Sequence, residues 1–242
     1  MPYYMPYYYG FDWTYLVLVL PCIILSLWAS SRINSTFKRY STQYSSRGIT
    51  GAEAAKRVLQ NNGVYNVQIQ RTAGNLTDHY DPKANVIRLS DSVYDSTSTA
   101  AIGVACHEAG HAVQYAENYA PIKLRSAIIP ITNFGSKLAM PLILLGLLLT
   151  SLGAFSYTIV YIGIGCFALS LVFQLVTLPV EFNASRRAME SIQEGGILTA
   201  QEQQGARKTL SAAAMTYVAA TAVSLAQLIR LLSLFGGRRR RN

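Results

Sequence analysis

The stretch GVACHEAGHAVQYAE, residues 103–117, holds two of the three histidines of this 242-residue chain. His107 and His111 stand four residues apart, and Glu108 directly follows the first of them. In a helix, residues four apart lie on one face, so both imidazoles can reach a single point. This HExxH spacing is typical of helices in which two histidines bind zinc and the glutamate is a general base. The alternative is two unrelated histidines on an amphipathic helix, but a buried His–Glu–His group without a metal would be costly to desolvate.

Catalytic zinc normally takes three protein ligands and leaves one position for water. No third histidine follows at the spacing of an extended HExxHxxGxxH motif, so we expect a carboxylate as the third ligand. Glu181 is favoured because it is the acidic residue of a long apolar run just beyond a predicted membrane helix. Its alternative role is that of a first-turn helix glutamate favoured by the macrodipole. Glu117 and Glu190 are the other candidate ligands.

These residues together predict hydrolysis of peptide bonds with Zn²⁺ as cofactor. Zinc held by His107, His111 and Glu181 would supply a water with a pKa of about 7 and polarise the peptide carbonyl. Glu108 would take the proton of the attacking water and pass it to the leaving amine.

Two further segments are weaker candidates for contacts with a substrate. His79, in LTDHYDP, could donate a hydrogen bond to the oxyanion, although a loop histidine is more often a surface or packing residue. NVIRLS, residues 85–90, predicts a short strand, and an extended peptide could pair with it if it lies at a sheet edge. An interior strand is the alternative. The candidate substrate-binding residues of this strand are Val86, Ile87, Arg88 and Leu89.

The composition indicates a membrane protein. Hydrophobic residues make up 51% of the chain and charged residues 14%, against roughly 25% charged residues in soluble domains. The formal net charge of +9 is typical of the basic flanks of membrane segments. We expect no nucleic-acid binding, because no aromatic residues are interleaved with the basic run Arg238–Arg241. The three cysteines lie in or beside apolar segments and are expected to be small buried residues.

Three apolar segments are expected to lie in the bilayer. Residues 13–29 have no basic residue before them and several after them, which predicts an uncleaved anchor with its N-terminus outside. Residues 138–152 and 157–178 predict a transmembrane hairpin with an uncharged tip outside. The HExxH helix is therefore expected on the cytoplasmic side of the cell membrane.

The C-terminal third predicts two more helices. One follows Pro179 and should end at the glycine pair 195–196, and the other begins after a capping-box pattern at residues 199–202. The second helix is apolar enough to cross the bilayer, but crossing would put Arg238–Arg241 outside, against the positive-inside rule. A helix lying on the cytoplasmic interface or against the other helices is therefore favoured. The four arginines are expected to contact anionic lipid headgroups, each contributing ~1 kcal/mol near the surface.

The expected fold is a mainly α membrane protein with an N-terminal anchor helix, a transmembrane hairpin and a small α+β zincin-like cytoplasmic part. Helix, strand, strand and HExxH helix follow one another in that part, and Thr50 opens the first helix with a capping-box pattern. The expected divisions are residues 1–30 for the tail and anchor, 31–125 for the α+β unit, 126–180 for the hairpin, and 181–242 for the helix with the third ligand, the apolar helix and the basic tail.

VACHEAGHAVQ and LPVEFNASRRA, preceded by LTDHYDP and VIRLS, resemble the YugP-type family of bacterial membrane zinc metallopeptidases over nearly the whole chain. In motif arrangement the chain is more distantly similar to HtpX and the CAAX prenyl proteases. Those families often carry an aspartate four residues after the glutamate ligand, where this chain has Ser185, with Asn183 nearer. The resemblance implies a membrane-embedded zinc endopeptidase whose substrates are peptides or proteins, membrane proteins among them.

Two functions without catalysis compete with this prediction. A membrane scaffold with a structural zinc would require a fourth protein ligand and would leave Glu108 without a role. A membrane-surface binding module that uses the basic tail would leave the His–Glu–His group without a role.

Overall fold

The computed structural model describes residues 12–149, 151 and 153–236. The N-terminal Pro/Tyr-rich tail and Arg238–Arg241 therefore lie outside the described residues. A π-helical turn at Tyr15–Val19 leads into the first of seven α-helices in the described part of the chain. The elements are α1 (Leu20–Tyr40), α2 (Gly51–Asn61), β1 (Gln68–Thr72), β2 (His79–Asp81), β3 (Val86–Ser90), α3 (Asp91–Tyr94), α4 (Thr99–Ala116), α5 (Ala120–Leu148), α6 (Ala154–Glu194) and α7 (Gln203–Gly236). The fold is mainly helical with one small three-stranded sheet, as expected.

The sheet has the order β1–β3–β2, so β3 is its central strand. β3 pairs in parallel with β1 and antiparallel with β2. The prediction that Val86, Ile87, Arg88 and Leu89 offer a free edge to a substrate is therefore wrong, because both sides of this strand are already paired. Val86, Ile87 and Leu89 are 2%, 0% and 0% exposed. β2, which the sequence did not predict as a strand, forms one edge of the sheet.

The α+β unit packs around α4. Helix α2 begins with the predicted capping box, in which Thr50 Oγ1 accepts from the Glu53 amide at 3.2 Å and Glu53 Oε2 accepts from the Thr50 amide at 3.0 Å. Such a cap stabilises a helix by about 1 kcal/mol. The apolar face of α2 and the central strand are buried against α4 in one core. This core holds the HExxH helix rigidly on one side.

Helix α6 is continuous over 41 residues and contains Pro179. The separate helix expected after Pro179 is therefore wrong: the proline lies inside α6. Membrane helices tolerate an internal proline because neighbouring helices and side chains satisfy the freed backbone groups. The consequence is that Glu181 lies on the same helix as the second arm of the hairpin.

Four described helical segments are long and apolar enough to cross a membrane, namely Tyr15–Tyr40, Ala120–Leu148, Ala154–Glu194 and Gln203–Gly236. The fourth, α7, packs along both α1 and α6. At its C-terminal end, Arg230 Nε donates to Asp12 Oδ2 at 2.9 Å, and the Phe235 carbonyl accepts from Tyr161 at 2.8 Å. This end of α7 therefore lies beside the start of α1 and the tip of the hairpin. Packing against the other helices, one of the two placements favoured from the sequence, is confirmed by these contacts.

Glycine residues allow the two helices of the α5–α6 hairpin to pack closely against each other. A Cβ atom added to Gly146 would lie 2.7 Å from the Ser156 carbonyl oxygen, and one added to Gly163 would lie 2.9 Å from that of Ala139. Small residues of this kind let the backbones of membrane helices approach closely. The hairpin in turn fixes the position of the half of α6 that carries Glu181.

The substitution Gly163→Ala is expected to destabilise the hairpin, with Gly165→Ala as its matched control. A Cβ at 163 would also lie 2.8 Å from the Ile143 side chain, whereas nothing lies within 4 Å of a Cβ at 165. Overpacking costs roughly 1–3 kcal/mol, and replacing a helical glycine by alanine gains roughly 0.5–1 kcal/mol. Thermal unfolding in detergent should show a lower midpoint for Gly163→Ala and an unchanged or higher one for Gly165→Ala. Equal midpoints for the two variants would contradict this account.

Candidate metal centre

Helix α4 places both motif histidines on one face. It begins after Ser98, whose Oγ accepts a hydrogen bond from the Ala101 amide. The rings of His107 and His111 lie edge to face with their centroids 4.7 Å apart. The predicted convergence of the two imidazoles on one point is therefore present in the fold.

Helices α4 and α6 touch at Gly110. A Cβ added there would lie 2.8 Å from the Ala184 carbonyl oxygen, so no larger residue fits without moving a helix backbone. The absence of a side chain at Gly110 thus allows close packing of α6 against the HExxH helix. Glu181 and Ser185 lie three residues before and one residue after Ala184 on α6. This contact brings both side chains to the histidines.

The structure brings His107, His111 and Glu181 together. Glu181 Oε2 lies 3.2 Å from His107 Nε2 and 3.6 Å from His111 Nε2. One ligand atom of each residue lies within 4.8 Å of those of the other two. Ligand atoms of a tetrahedral zinc ion, with bonds of about 2.0–2.1 Å, stand about 3.4 Å apart. The three side chains therefore fit a zinc ion in kind, number and spacing.

The environment of His111 favours its charged form while no metal is bound. Burial lowers the pKa of His111, but its hydrogen bond with Glu181 and the negative charges of Glu108 and Glu181 raise it above the ordinary value. A metal would take the place of this proton, because ligand histidines bind metals in their neutral form. We therefore expect metal uptake to release a proton.

Each of the two histidines has a hydrogen-bond partner at its Nδ1 atom. Ser185 Oγ lies 3.1 Å from His107 Nδ1, so the serine occupies the place of the aspartate in the more distant families. Behind His111, Gln114 Oε1 lies 3.0 Å from Nδ1. Such partners fix the ring orientation and the tautomer, so that the other ring nitrogen faces the metal.

The amide of Gln114 can adopt only one orientation. The residue is 0% exposed, and its Nε2 donates to the Val180 carbonyl at 2.9 Å and to Asn183 Oδ1 at 2.8 Å. Both amide hydrogens are used, so Oε1 must be the atom that faces His111. No motif in the sequence indicated this role for Gln114, although its position three residues after His111 puts it on the same helix face.

The other candidate ligands lie in ion pairs outside the cluster. Glu117 pairs with Arg187 at 2.6 Å and Glu190 with Arg186 at 2.9 Å. The cation beside Glu181 is instead Arg125 of α5, whose Nη1 lies 3.4 Å from Glu181 Oε1. No sequence signal distinguished Arg125 from the other basic residues at helix ends.

Asp78, His79 and Tyr80 line one side of the site. His79 is exposed on β2, with Nδ1 2.8 Å from the Thr77 carbonyl and Nε2 3.5 Å from Arg88 Nη1. It lies beside the metal cluster, but its proposed bond to an oxyanion stays a prediction. Asp78, which no sequence pattern indicated, accepts a hydrogen bond from the Ser90 amide at 2.7 Å. The pKa of Asp78 is raised above its ordinary value, mainly by burial and to a smaller extent by the charge of Glu108. Its hydrogen bonds with Ser90 lower the pKa but do not offset this effect.

Two cavities meet at the cluster. One of about 200 Å³ lies between α1, α4 and α7, and one of about 240 Å³ lies between β2, α4 and α5. Glu108 lines both cavities, as a base that must reach a substrate would. The residues shared by both cavities are Asp78, His107, Glu108, Glu181 and Tyr217.

The helical fold, the four apolar helices and a His₂Glu group with an adjacent glutamate define a membrane-type zinc peptidase. Residues 15–236 match the family model described as "Putative neutral zinc metallopeptidase", and the chain belongs to this family. It is 46% identical over 221 residues to "Putative membrane protease YugP" of Bacillus subtilis (strain 168). The matched region covers 91% of this chain and 96% of the relative. No solved structure matches. The resemblance found in the sequence is confirmed.

Replacing Gln114 by leucine is expected to weaken zinc binding by roughly 10- to 100-fold, the usual cost of losing the partner of a ligand histidine. The variant removes the acceptor that holds His111, together with the hydrogen bonds that Gln114 donates to the Val180 carbonyl and to Asn183 Oδ1. Competition with a fluorescent zinc chelator measures the affinity, and Gln60→Leu on the exposed face of α2 is the control. Equal affinities for both variants would show that Gln114 does not position the histidine.

Proposed function

We propose that this protein is a zinc-dependent endopeptidase of the cell membrane, with His107, His111 and Glu181 as zinc ligands and Glu108 as general base. The observation that carries the proposal is the convergence of the three ligand atoms within 4.8 Å, at a place where Glu108 faces two cavities. In the described residues the group consists of these three ligands. Three ligands favour a catalytic over a structural zinc, since a closed structural site takes four.

The residues around the cluster divide the chemistry among them. A bound zinc would supply an acidified water and polarise the scissile carbonyl. Glu108 would take the proton from the water as it attacks and give it to the leaving amine. Arg125 keeps positive charge beside Glu181, and Ser185 and Gln114 hold the two imidazoles. His79 stays a candidate donor to the oxyanion.

The edge strand β2 is a better partner for the substrate backbone than the central strand β3. One of its sides pairs with β3, and His79 and Tyr80 also line the cavity that contains Glu108 and His111. An extended peptide added to β2 would make main-chain hydrogen bonds that depend little on sequence. We therefore place the substrate backbone along residues 79–81.

The substitution Glu108→Gln is expected to abolish peptide cleavage while zinc stays bound. The amide keeps the size of the side chain but cannot accept a proton, and general acid–base catalysis contributes roughly 10²- to 10⁴-fold in rate. Zinc content by elemental analysis and hydrolysis of fluorogenic peptides by the purified protein in detergent measure the two effects. Glu190→Gln, which changes an exposed carboxylate of α6, should cleave like the wild type. Undiminished cleavage by Glu108→Gln would refute the assignment.

We further propose that all four helices cross the bilayer, with the metal centre on the cytoplasmic side. Asp12 contacts Arg230, and Tyr161 contacts the Phe235 carbonyl. The ends of α1, α6 and α7 that lie far from the site are therefore close together, at the same side of the proposed bilayer. Basic residues cluster at the opposite ends of the helices, which favours the cytoplasm for the site. They are Arg32, Lys38, Arg39, Lys123, Arg125, Arg186, Arg187, Arg207 and Lys208. Arg238–Arg241 would then meet lipid headgroups on the outer side.

Cysteine labelling tests this topology. In a variant without the three native cysteines, Asn242→Cys is expected to react with a membrane-impermeant maleimide in intact cells, because a crossing α7 ends outside. Gln60→Cys on the exposed face of α2 should react only after permeabilisation. Protection of residue 242 in intact cells would instead put the end of α7 in the cytoplasm.

A further inference from the structure

The two cavities that meet at the metal cluster differ in chemistry. Apart from the shared residues, the cavity between α1 and α7 is lined mostly by aliphatic and aromatic carbon, with Ser185 and Thr209 as its hydroxyl groups. Its apolar lining includes Ile33, Phe37, Val104, Leu210, Ala213 and Ala214. We call it the α1–α7 cavity.

The other cavity carries most of the hydrogen-bonding groups. We call it the β2–α5 cavity, and His79, Tyr80, Tyr115, Arg125 and Ser126 line it. It runs along the edge strand, where backbone pairing with an extended peptide is possible. A polypeptide that crosses the cluster would thus have polar surroundings on one side of the scissile bond and apolar surroundings on the other.

The α1–α7 cavity lies between two helices that are candidate membrane spans. Ile33 and Phe37 are four residues apart on α1, in its last two turns, and Leu210 and Ala213 lie near the start of α7. Both pairs are at the site end of their helices. A segment that emerges from the bilayer beside the site ends of these helices would therefore meet the cavity before it meets Glu108.

We propose that the preferred substrate is a membrane-anchored polypeptide cut a few residues from its apolar anchor. This inference rests on the proposed peptidase function. The first apolar residues beside the scissile bond occupy the α1–α7 cavity, and the extended polar part lies along β2. Pockets for drug-sized ligands measure roughly 300–1,000 Å³, so the cavity of about 200 Å³ holds a few side chains and not a whole transmembrane helix. Cleavage therefore takes place beside the anchor and not within it.

The test compares one cleavable peptide in different settings, with the full-length zinc-loaded protein in lipid vesicles. A sequence that the protein cleaves as a free peptide is joined to a 20-residue apolar helix through Gly/Ser spacers of 2, 5, 10 and 20 residues, before or after the peptide. In at least one orientation, kcat/KM for spacers of 2 to 5 residues should exceed that for 20 residues by at least tenfold. The long-spacer peptide is anchored equally, so it controls for confinement to the membrane.

Two alanines of α7 provide matched variants. Ala213→Phe fills the α1–α7 cavity and should reduce the short-spacer rate to the long-spacer value. Ala220→Phe adds the same volume seven residues further on, at an exposed position, and should keep the preference for short spacers. A photoreactive residue in place of Ile33 gives a readout without turnover: in the Glu108→Gln background it should crosslink short-spacer peptides and not long-spacer ones.

The outcomes separate this inference from the function on which it rests. Zinc-dependent cleavage of the free peptide, together with equal rates and equal crosslinking for all spacers, would overturn the substrate class and leave the peptidase function intact. Absence of cleavage for free and anchored peptides alike would refute both. A short-spacer preference that survives in Ala213→Phe would overturn the role of the cavity.

Discussion

The site depends on the close contact between α4 and α6 at Gly110 and Ala184. Each helix alone offers an incomplete set of ligands, two imidazoles from α4 and one carboxylate from α6. The contact leaves no room for a Cβ atom at Gly110, and it sets Glu181 Oε2 within 3.2–3.6 Å of both ring nitrogens. Because a tilt of α6 would displace the Glu181 carboxylate, this backbone contact helps to set the spacing of the three candidate ligands.

Bringing these groups together removes a carboxylate from water. Glu181 is 2% exposed, and an unpaired buried charge costs several kcal/mol. Two imidazoles and Arg125 surround the carboxylate, and the polar groups behind the imidazoles are paired in turn. Gln114 links His111 to Val180 and Asn183, while Asn183 also accepts from Arg187. The network thus extends from the metal ligands to the surface of α6, and it fixes the ligand orientations before any metal binds.

The sequence alone predicted the features of the fold and the candidate site that depend on local spacing. The HExxH motif, the capping boxes at Thr50 and Thr199, and the strand at residues 86–90 follow from short-range rules, and the structure contains each of them. Glu181 was found by its rarity in an apolar run. The sequence could not show whether β3 is an edge or a central strand, because a short apolar strand has the same pattern in both places. The contact of Arg125 with Glu181 was not predicted because it depends on the angle between two helices. The end of a helix at Pro179 was predicted wrongly because tertiary contacts decide whether a proline ends a helix.

In the proposed function, the position of Glu181 couples catalysis to the membrane fold. The same helix carries the apolar arm of the hairpin and, two residues after Pro179, the third ligand. If the hairpin has not inserted and packed, α6 is not held at Gly110 and the cluster keeps only its two histidines. Two histidines leave a zinc ion short of the three protein ligands of a catalytic site. A chain that has not reached its bilayer therefore cannot assemble the site, which gives a physical reason why a peptidase would draw its ligands from both a soluble-type helix and a membrane-type helix.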